Sequence, residues 1–386
     1  MDLDQAPIEN QNFKHFSSKK EKSLIIRQHE RAIRLIQEAF EKNTLEAMYQ
    51  KVIRFVLDDL LNSKNEKAKN FQITVYEAEE MALLEDHQII QYLFHRYRYV
   101  VYPLTKDLDD YPPCLQIEPA SVCNFRCVFC YQTDRSFSQK SGGFMGTMTL
   151  DQFKQIIDQI EGYIDFVTLA SRGEPLIACD FIDMIDYTQG KFLNLKVNTN
   201  ASMLTEKYAH AILSSGVKTL VFSADAAEEP LYSQLRVNGN LQKTLKNIET
   251  FQTIREKQYP DAKIITRVSG VMYKPEEQNI ASLKRLWNSL VDQVSFVNYT
   301  PWEKIYQAPP NLITSPCTEL WRRMFVWQDG GVNPCDSDYK SNLKIGSVKE
   351  NTISELWTSS QYQHLRTKHL QANRRTLDPC KRCVVT

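Results

Sequence analysis

Three cysteines, Cys123, Cys127 and Cys130, fall within residues 121–131 with the spacing C-x3-C-x2-C. Phe129 precedes the last of them and Tyr131 follows it. Thiolates are the usual ligands of iron–sulfur clusters. Three thiolates on a four-iron cubane leave one iron without a protein ligand, and an open position on a metal marks a reactive site rather than a structural one. Zinc is the competing reading, although zinc usually takes a fourth ligand and C-x2-C pairs. Three inert core thiols would be unusual at this density. Four more cysteines, Cys317, Cys335, Cys380 and Cys383, lie near the C-terminal end, the last two as C-x2-C, with Gly330 five positions before Cys335. Four thiolates complete the ligation of one cubane and equally suit structural zinc; spacing leaves both open. Cys114 and Cys179 have no partner at ligand spacing and read as packing residues.

The elements around the first cluster of cysteines set its position. Residues 115–119 read as a short strand, and the cysteines follow on a loop. After Pro112-Pro113 strand and helix patterns alternate. Strands are expected at 115–119, 165–170, 193–199, 219–223, 263–268 and 293–298. Helices are expected at 149–161, 181–189, 205–214, 241–256 and 276–290. Such alternation implies parallel βαβ units. The expected fold is α/β: a partial (β/α)6 parallel barrel (111–305) with a helical N-terminal extension (1–110) and a small C-terminal iron–sulfur domain (306–386). Parallel barrels carry their sites at the C-terminal ends of the strands, where the cysteine loop lies.

The N-terminal third holds no cysteine. Residues 1–20 read as irregular. A helix is expected from Ser23, and a second from Asn43 or Thr44 with the stripe Leu45, Met48, Val52, Phe55, Val56 and Leu60. A loop follows at 62–66, one strand is expected at 71–75, and helix returns over 77–98. A helical cap is favoured over a partner-binding extension.

Composition narrows the function. The 386 residues contain 47 Lys+Arg and 47 Asp+Glu, a formal net charge of zero. Tight binding to a nucleic-acid backbone has no electrostatic support, and the basic runs at 19–34 and 364–375 read as solvated helix faces. No apolar stretch is long enough to span a bilayer, and the acidic start Met1-Asp-Leu-Asp is not a signal peptide, so a cytoplasmic protein without membrane partners is expected. Nine cysteines in such a chain point to metal or redox chemistry before disulfides.

The loop C-x3-C-x-aromatic-C resembles the signature of the radical S-adenosylmethionine (SAM) enzymes, and the resemblance extends over 111–300. It implies that SAM's methionyl amine and carboxylate occupy the open iron, beside Phe129 and Tyr131. Reductive cleavage of SAM then gives a 5'-deoxyadenosyl radical that abstracts a hydrogen atom from the substrate. Ser171-Arg172-Gly173-Glu174-Pro175 resembles the family's Gly-Gly-Glu-Pro turn, whose carbonyls take the SAM ammonium. Arg172 replaces the first glycine, and its guanidinium is expected to face a carboxylate of SAM or substrate. Gly173 would let backbone approach the ligand. By the same resemblance Asn198 or Asn200 bonds the SAM ribose or carboxylate, the alternative being a turn before a helix cap at Thr205. Ser223 and Asp225 resemble a Ser-x-Asp pair that meets SAM and substrate. Arg236, in a Tyr-x3-Arg element, would pair with the SAM carboxylate.

The C-terminal pattern C…G-x4-C…C-x2-C, over about 315–386, resembles the SPASM/twitch extension. That implies one auxiliary [4Fe–4S] cluster on Cys317, Cys335, Cys380 and Cys383, two clusters in all, with the auxiliary one accepting an electron from the substrate radical. The expected activity is a SAM-dependent radical oxidation, fed by a donor such as flavodoxin or ferredoxin. A small molecule such as a sugar or aminoglycoside-type alcohol is the favoured substrate, and a ribosomally made peptide or protein the alternative. A reading from another class is an iron–sulfur and SAM-binding scaffold or sensor without turnover.

Overall fold

The computed structural model describes residues 16–18, 23–62 and 71–386. The expectations for most of 1–20, for 63–66 and for the start of the basic run at 19–34 lie outside the described residues. Six strands run parallel in the order β1 (Cys114–Ile117), β2 (Phe166–Leu169), β3 (Asn194–Thr199), β4 (Val217–Ser223), β5 (Ile265–Met272) and β6 (Gln293–Asn298). Their residues alternate: apolar side chains meet the covering helices on one face, while Gln116, Thr168, Asn194 and Asn198 turn toward an interior on the other. Each crossover carries a helix with an apolar stripe. In the helix Leu150–Ile160, Phe153, Ile156, Ile157 and Ile160 are buried, and Thr149 caps its start by accepting the Gln152 N–H (3.3 Å). The fold class is therefore α/β with a curved, open parallel sheet.

The sheet does not stop where a domain boundary near 305 was expected. β7 (Arg323–Val326) adds in parallel beside β1, pairing Arg323 with Cys114 and Val326 with Ile117. β8 (Gly331–Asn333) and β9 (Gly346–Ser347) follow antiparallel. At the other edge Ser17–Ser18 pairs antiparallel with β6. The C-terminal segment thus prolongs the same sheet and shares its core.

The N-terminal helices α1 (Ser23–Glu41), α2 (Ala47–Leu61), α3 (Val75–Ala82) and α4 (Asp86–Thr105) build a second apolar core around Ile36, Ile53, Val56, Phe71 and Leu93. Residues 71–75 are not a strand. Thr74 starts α3 in a capping box, with Glu77 accepting the Thr74 N–H (3.1 Å), and this local pairing outweighs the β-branched composition. The helix expected over 77–98 is two, interrupted at residues 83–85. This layer closes the N-terminal ends of the strands. Asp165, just before β2, meets His95 Nε2 at 2.5 Å and Gln91 Nε2 at 2.8 Å. Asn194, first in β3, donates to Glu80 (2.7 Å), and Gln293, first in β6, donates to Glu79. The extension is therefore a floor at the end opposite the cysteine loop.

Candidate functional site

The cysteine loop leaves β1 through Glu118 and is tied down by backbone contacts. Ser121 N–H donates to the Gly146 carbonyl (3.0 Å), and Gly146 N–H returns a bond to Ser121 Oγ (2.8 Å). Gln132 Nε2 donates to the carbonyls of Ser121 (2.8 Å) and Arg172 (2.6 Å), stitching the loop to the turn after β2. Glu174 N–H closes the stitch on the Val122 carbonyl (2.9 Å). Gly173 sits where these backbones touch: a Cβ there would lie 2.4 Å from the carbonyl oxygens of Ala120 and Val122. A close approach to the cysteine loop therefore requires glycine here. Ser171, just before, is held at φ +145, a strained conformation for a residue with a side chain, and its carbonyl accepts the Tyr131 hydroxyl (2.9 Å).

Cys123, Cys127 and Cys130 are all free thiols, and burial pushes each thiol up, Cys123 to about 12. Burial penalises the thiolate; a cationic iron centre reverses that balance. Cys130 borders a cavity of about 1400 Å³ in the interior of the curved sheet, together with Phe129, Tyr131, Ser171, Asn198, Ser223, Asp225 and Arg236. Asn198 Oδ1 and Ser171 Oγ are buried there without a hydrogen-bond partner. Orphaned polar atoms of this kind call for a ligand, and thiols, amide and hydroxyls together fit a cluster with a polar, amino-acid-like cofactor beside it.

Several expected contacts fall elsewhere. The Arg172 guanidinium is engaged within the protein. It grips buried Glu118 (Nε–Oε2 2.8 Å, Nη2–Oε1 2.6 Å), donates to the Tyr339 carbonyl (2.8 Å), and lies 4.1 Å from the Trp327 ring centre. It fastens the turn to the C-terminal segment. Glu174 is an internal brace, accepting from Thr199 Oγ1 (2.6 Å), Asn200 N–H (2.7 Å) and Leu176 N–H (3.2 Å). Pro175 is buried and opens the short turn that follows. Asn200 spends its side chain on Asn124 (2.9 Å) and Ser202 (2.6 Å), so of the two asparagines only Asn198 borders the cavity. Arg236 already holds a counter-ion: its Nε lies 2.6 Å from Asp225 Oδ2, while Nη1 approaches Cys127 Sγ at 3.8 Å. A ligand carboxylate would have to share it. Tyr131 stacks on Tyr339 at 5.0 Å, and Phe129 lies 5.7 Å from Tyr273.

The second set, Cys317, Cys335, Cys380 and Cys383, lines one enclosed cavity. All four are free thiols pushed up by burial, Cys317 to about 12. Four thiols on one cavity fit full ligation of a cluster. The run at 364–375 is only in part a solvated face: His364 and Arg375 are exposed and Lys368 is half-buried. Arg366, His369 and Arg374 are all nearly fully buried. Arg374 knits the cysteine loops together by donating to the carbonyls of Ser315 (3.0 Å), Val385 (2.9 Å) and Cys383 (3.1 Å). His369 Nδ1 accepts the Cys317 N–H (3.1 Å), and burial beside Arg374 pushes its imidazole down to about 3. Arg366 and His369 lie in the helix Ser360–Leu370 on the face of buried Tyr362 and Leu365, whereas Arg374 follows in a short turn. Cys114 is buried as expected, whereas Cys179 is exposed.

Among the described residues no helix is long and apolar enough to cross a membrane. A family profile described as the radical SAM superfamily matches residues 117–279, and one described as an iron–sulfur cluster-binding domain, SPASM, matches 317–384. The chain is similar to a mycofactocin maturase of Mycolicibacterium smegmatis, 26% identical over 40% of this chain and 37% of that one. It is also similar to a tungsten-containing aldehyde ferredoxin oxidoreductase cofactor-modifying protein of Pyrococcus furiosus, 29% identical over 65% of this chain and 82% of that one. The match thus spans little more than a third of the maturase. Among solved structures, Streptococcus suis SuiB bound to precursor peptide SuiA aligns with TM-score 0.52 and 14% identity over 88% of both chains. The two cysteine sets fall inside the two matched regions, and the chain belongs to the radical SAM superfamily, as a member with a C-terminal SPASM iron–sulfur domain.

Proposed function

We propose that the chain is a radical SAM enzyme that oxidatively modifies a peptide. Cys123, Cys127 and Cys130 would hold a [4Fe–4S] cluster with an open iron, and Cys317, Cys335, Cys380 and Cys383 an auxiliary one. SAM bound at the open iron would supply a 5'-deoxyadenosyl radical able to take one hydrogen atom from the substrate. The protein's own groups would do the positioning. Asn198, Ser223 and the Ser171–Pro175 turn would hold SAM across the strand ends, with Arg236 dividing its charge between Asp225 and the cofactor. Burial of the lumen would keep water from the radical.

The observation that carries this reading is the opening of the cysteine loop onto a cavity of about 1400 Å³. Small-molecule sites usually measure about 300–1,000 Å³, so this interior has room for SAM and a peptide side chain with its neighbours. The relatives support the same choice: a maturase among the sequences, and a protein bound to a precursor peptide among the folds. The small-molecule reading gives way to the peptide reading on both grounds. A cytoplasmic flavodoxin or ferredoxin would supply the electron. The test is anaerobic incubation of the cluster-loaded protein with SAM, reductant and candidate precursor peptides or aminoglycoside-type alcohols. Peptides two hydrogens lighter, formed with 5'-deoxyadenosine, are expected; oxidation of the alcohols alone would overturn the substrate assignment.

A further inference from the structure

Halfway down the lumen lies a charge that hydrogen abstraction at the strand ends does not use. Lys196 occupies the middle of β3, level with Thr168 on β2 and Thr219 on β4. Strand alternation turns it inward with Asn194 and Asn198, and all three border the cavity. Among the described residues it makes no ion pair and no hydrogen bond. The titratable groups acting on it are Arg323, Arg267, Cys114 and Glu80, two of them cationic. Arg323 is occupied by Glu319 at 3.0 Å, and Arg267 Nε donates to Gln293 at 2.7 Å. Glu80 is taken up by Tyr92 and Asn194, each at 2.7 Å. A half-buried ammonium without a counter-ion is costly, so a neutral residue would serve packing better.

We infer that Lys196 is the counter-ion for a carboxylate of the peptide substrate, held in the lower lumen. This rests on the peptide-modifying reading of the site. Five cationic side chains border the cavity against three acidic ones, so the interior favours an anion. One uncompensated ammonium among neutral hydrogen-bonding groups, Gln116, Thr168 and Asn194, matches a monoanion better than a dianionic phosphate. Lys196 lies two residues below Asn198, about 7 Å along the strand. An acid anchored there would fix how far above it the reacting carbon stands, and so select which residue of the peptide is modified. A side-chain carboxylate and a C-terminal carboxylate share this chemistry.

The experiment titrates cluster-loaded protein, reductively ¹³C-methylated on lysine, with four probes. N-acetyl-L-aspartic acid α-amide presents a side-chain carboxylate and N-acetylglycine a terminal one; N-acetylglycinamide is the neutral control and inorganic phosphate the alternative anion. The Lys196 resonance is assigned by its loss in Lys196→Arg. Both carboxylates are expected to shift it saturably and to raise its titration midpoint by about one unit, the tighter of the two identifying the source. Lys196→Met should weaken the tighter probe at least tenfold by calorimetry. An absent shift, an equal shift from the neutral amide, or tighter binding of phosphate overturns the inference. The titration involves no turnover, so failure to form 5'-deoxyadenosine would count against the function proposed above and leave this result standing.

Discussion

Arg172 and Glu118 form a closed ion pair at 2.6 Å, both side chains at or below 2% exposed, at the seam between the cysteine loop, the turn after β2 and the C-terminal segment. The two parallel N–H···O contacts of this pair are the strong, orienting kind, and the Trp327 face closes the other side. The residue that departs from the family's turn is thus a rivet between the two iron–sulfur regions.

Arg172→Met should destabilise the protein by about 3–5 kcal/mol, because it strands the Glu118 carboxylate in the interior. Adding Glu118→Gln should recover part of that loss. Denaturant unfolding of the single and double variants checks this. A single variant as stable as the parent would mean that the pair contributes nothing.

Lys196 should cost the fold stability. Burial, reinforced by Arg323, lowers its ammonium from 10.5 to about 8. Below pH 8 the charged form is present in both states and the full penalty applies, up to roughly 3 kcal/mol. Between about pH 8 and 10.5 the unfolded chain binds the proton that the folded one has released, so stability rises with pH. Lys196→Met should therefore melt higher than the parent at pH 7, with the gap narrowing toward pH 10. A variant less stable at pH 7, or a gap independent of pH, contradicts the assignment of a half-buried, unpaired ammonium.

Cys380→Ala should lower iron content by roughly half and open the C-terminal segment to protease, since a metal centre closing a long loop restrains the chain strongly. Product formation should fall further than SAM cleavage, as Cys123, Cys127 and Cys130 are untouched. Zinc in place of iron at this site, measured by metal analysis of protein with the first three cysteines replaced, would remove the redox role.

The parallel core was legible because the alternation along β1 to β6 and the stripes of the intervening helices obey simple periods; β6 lies at Gln293–Asn298, where the sequence places it. The two sets of cysteines were legible from spacing. What escaped reading was tertiary pairing. Nothing in Arg323–Val326 announces that it docks beside β1 from 200 residues away. Arg172 resembles a ligand-facing cation until Glu118 is seen under it. Arg366, His369 and Arg374 are polar in sequence and buried in space because backbone carbonyls satisfy two of them and a backbone N–H the third. Residues 71–75 carried strand-forming side chains, and a capping box made the final part a helix start.

The central claim is that the three-cysteine loop holds the cluster at which SAM is cleaved. The most direct measurement is 5'-deoxyadenosine formed under anaerobic, reducing conditions by reconstituted parent protein and by the variant with Cys123, Cys127 and Cys130 all replaced by alanine. The account predicts formation by the parent, none by the variant, and about half the iron retained in the variant at the second site. Equal 5'-deoxyadenosine from both proteins, or none from a parent fully loaded with both clusters, would contradict it.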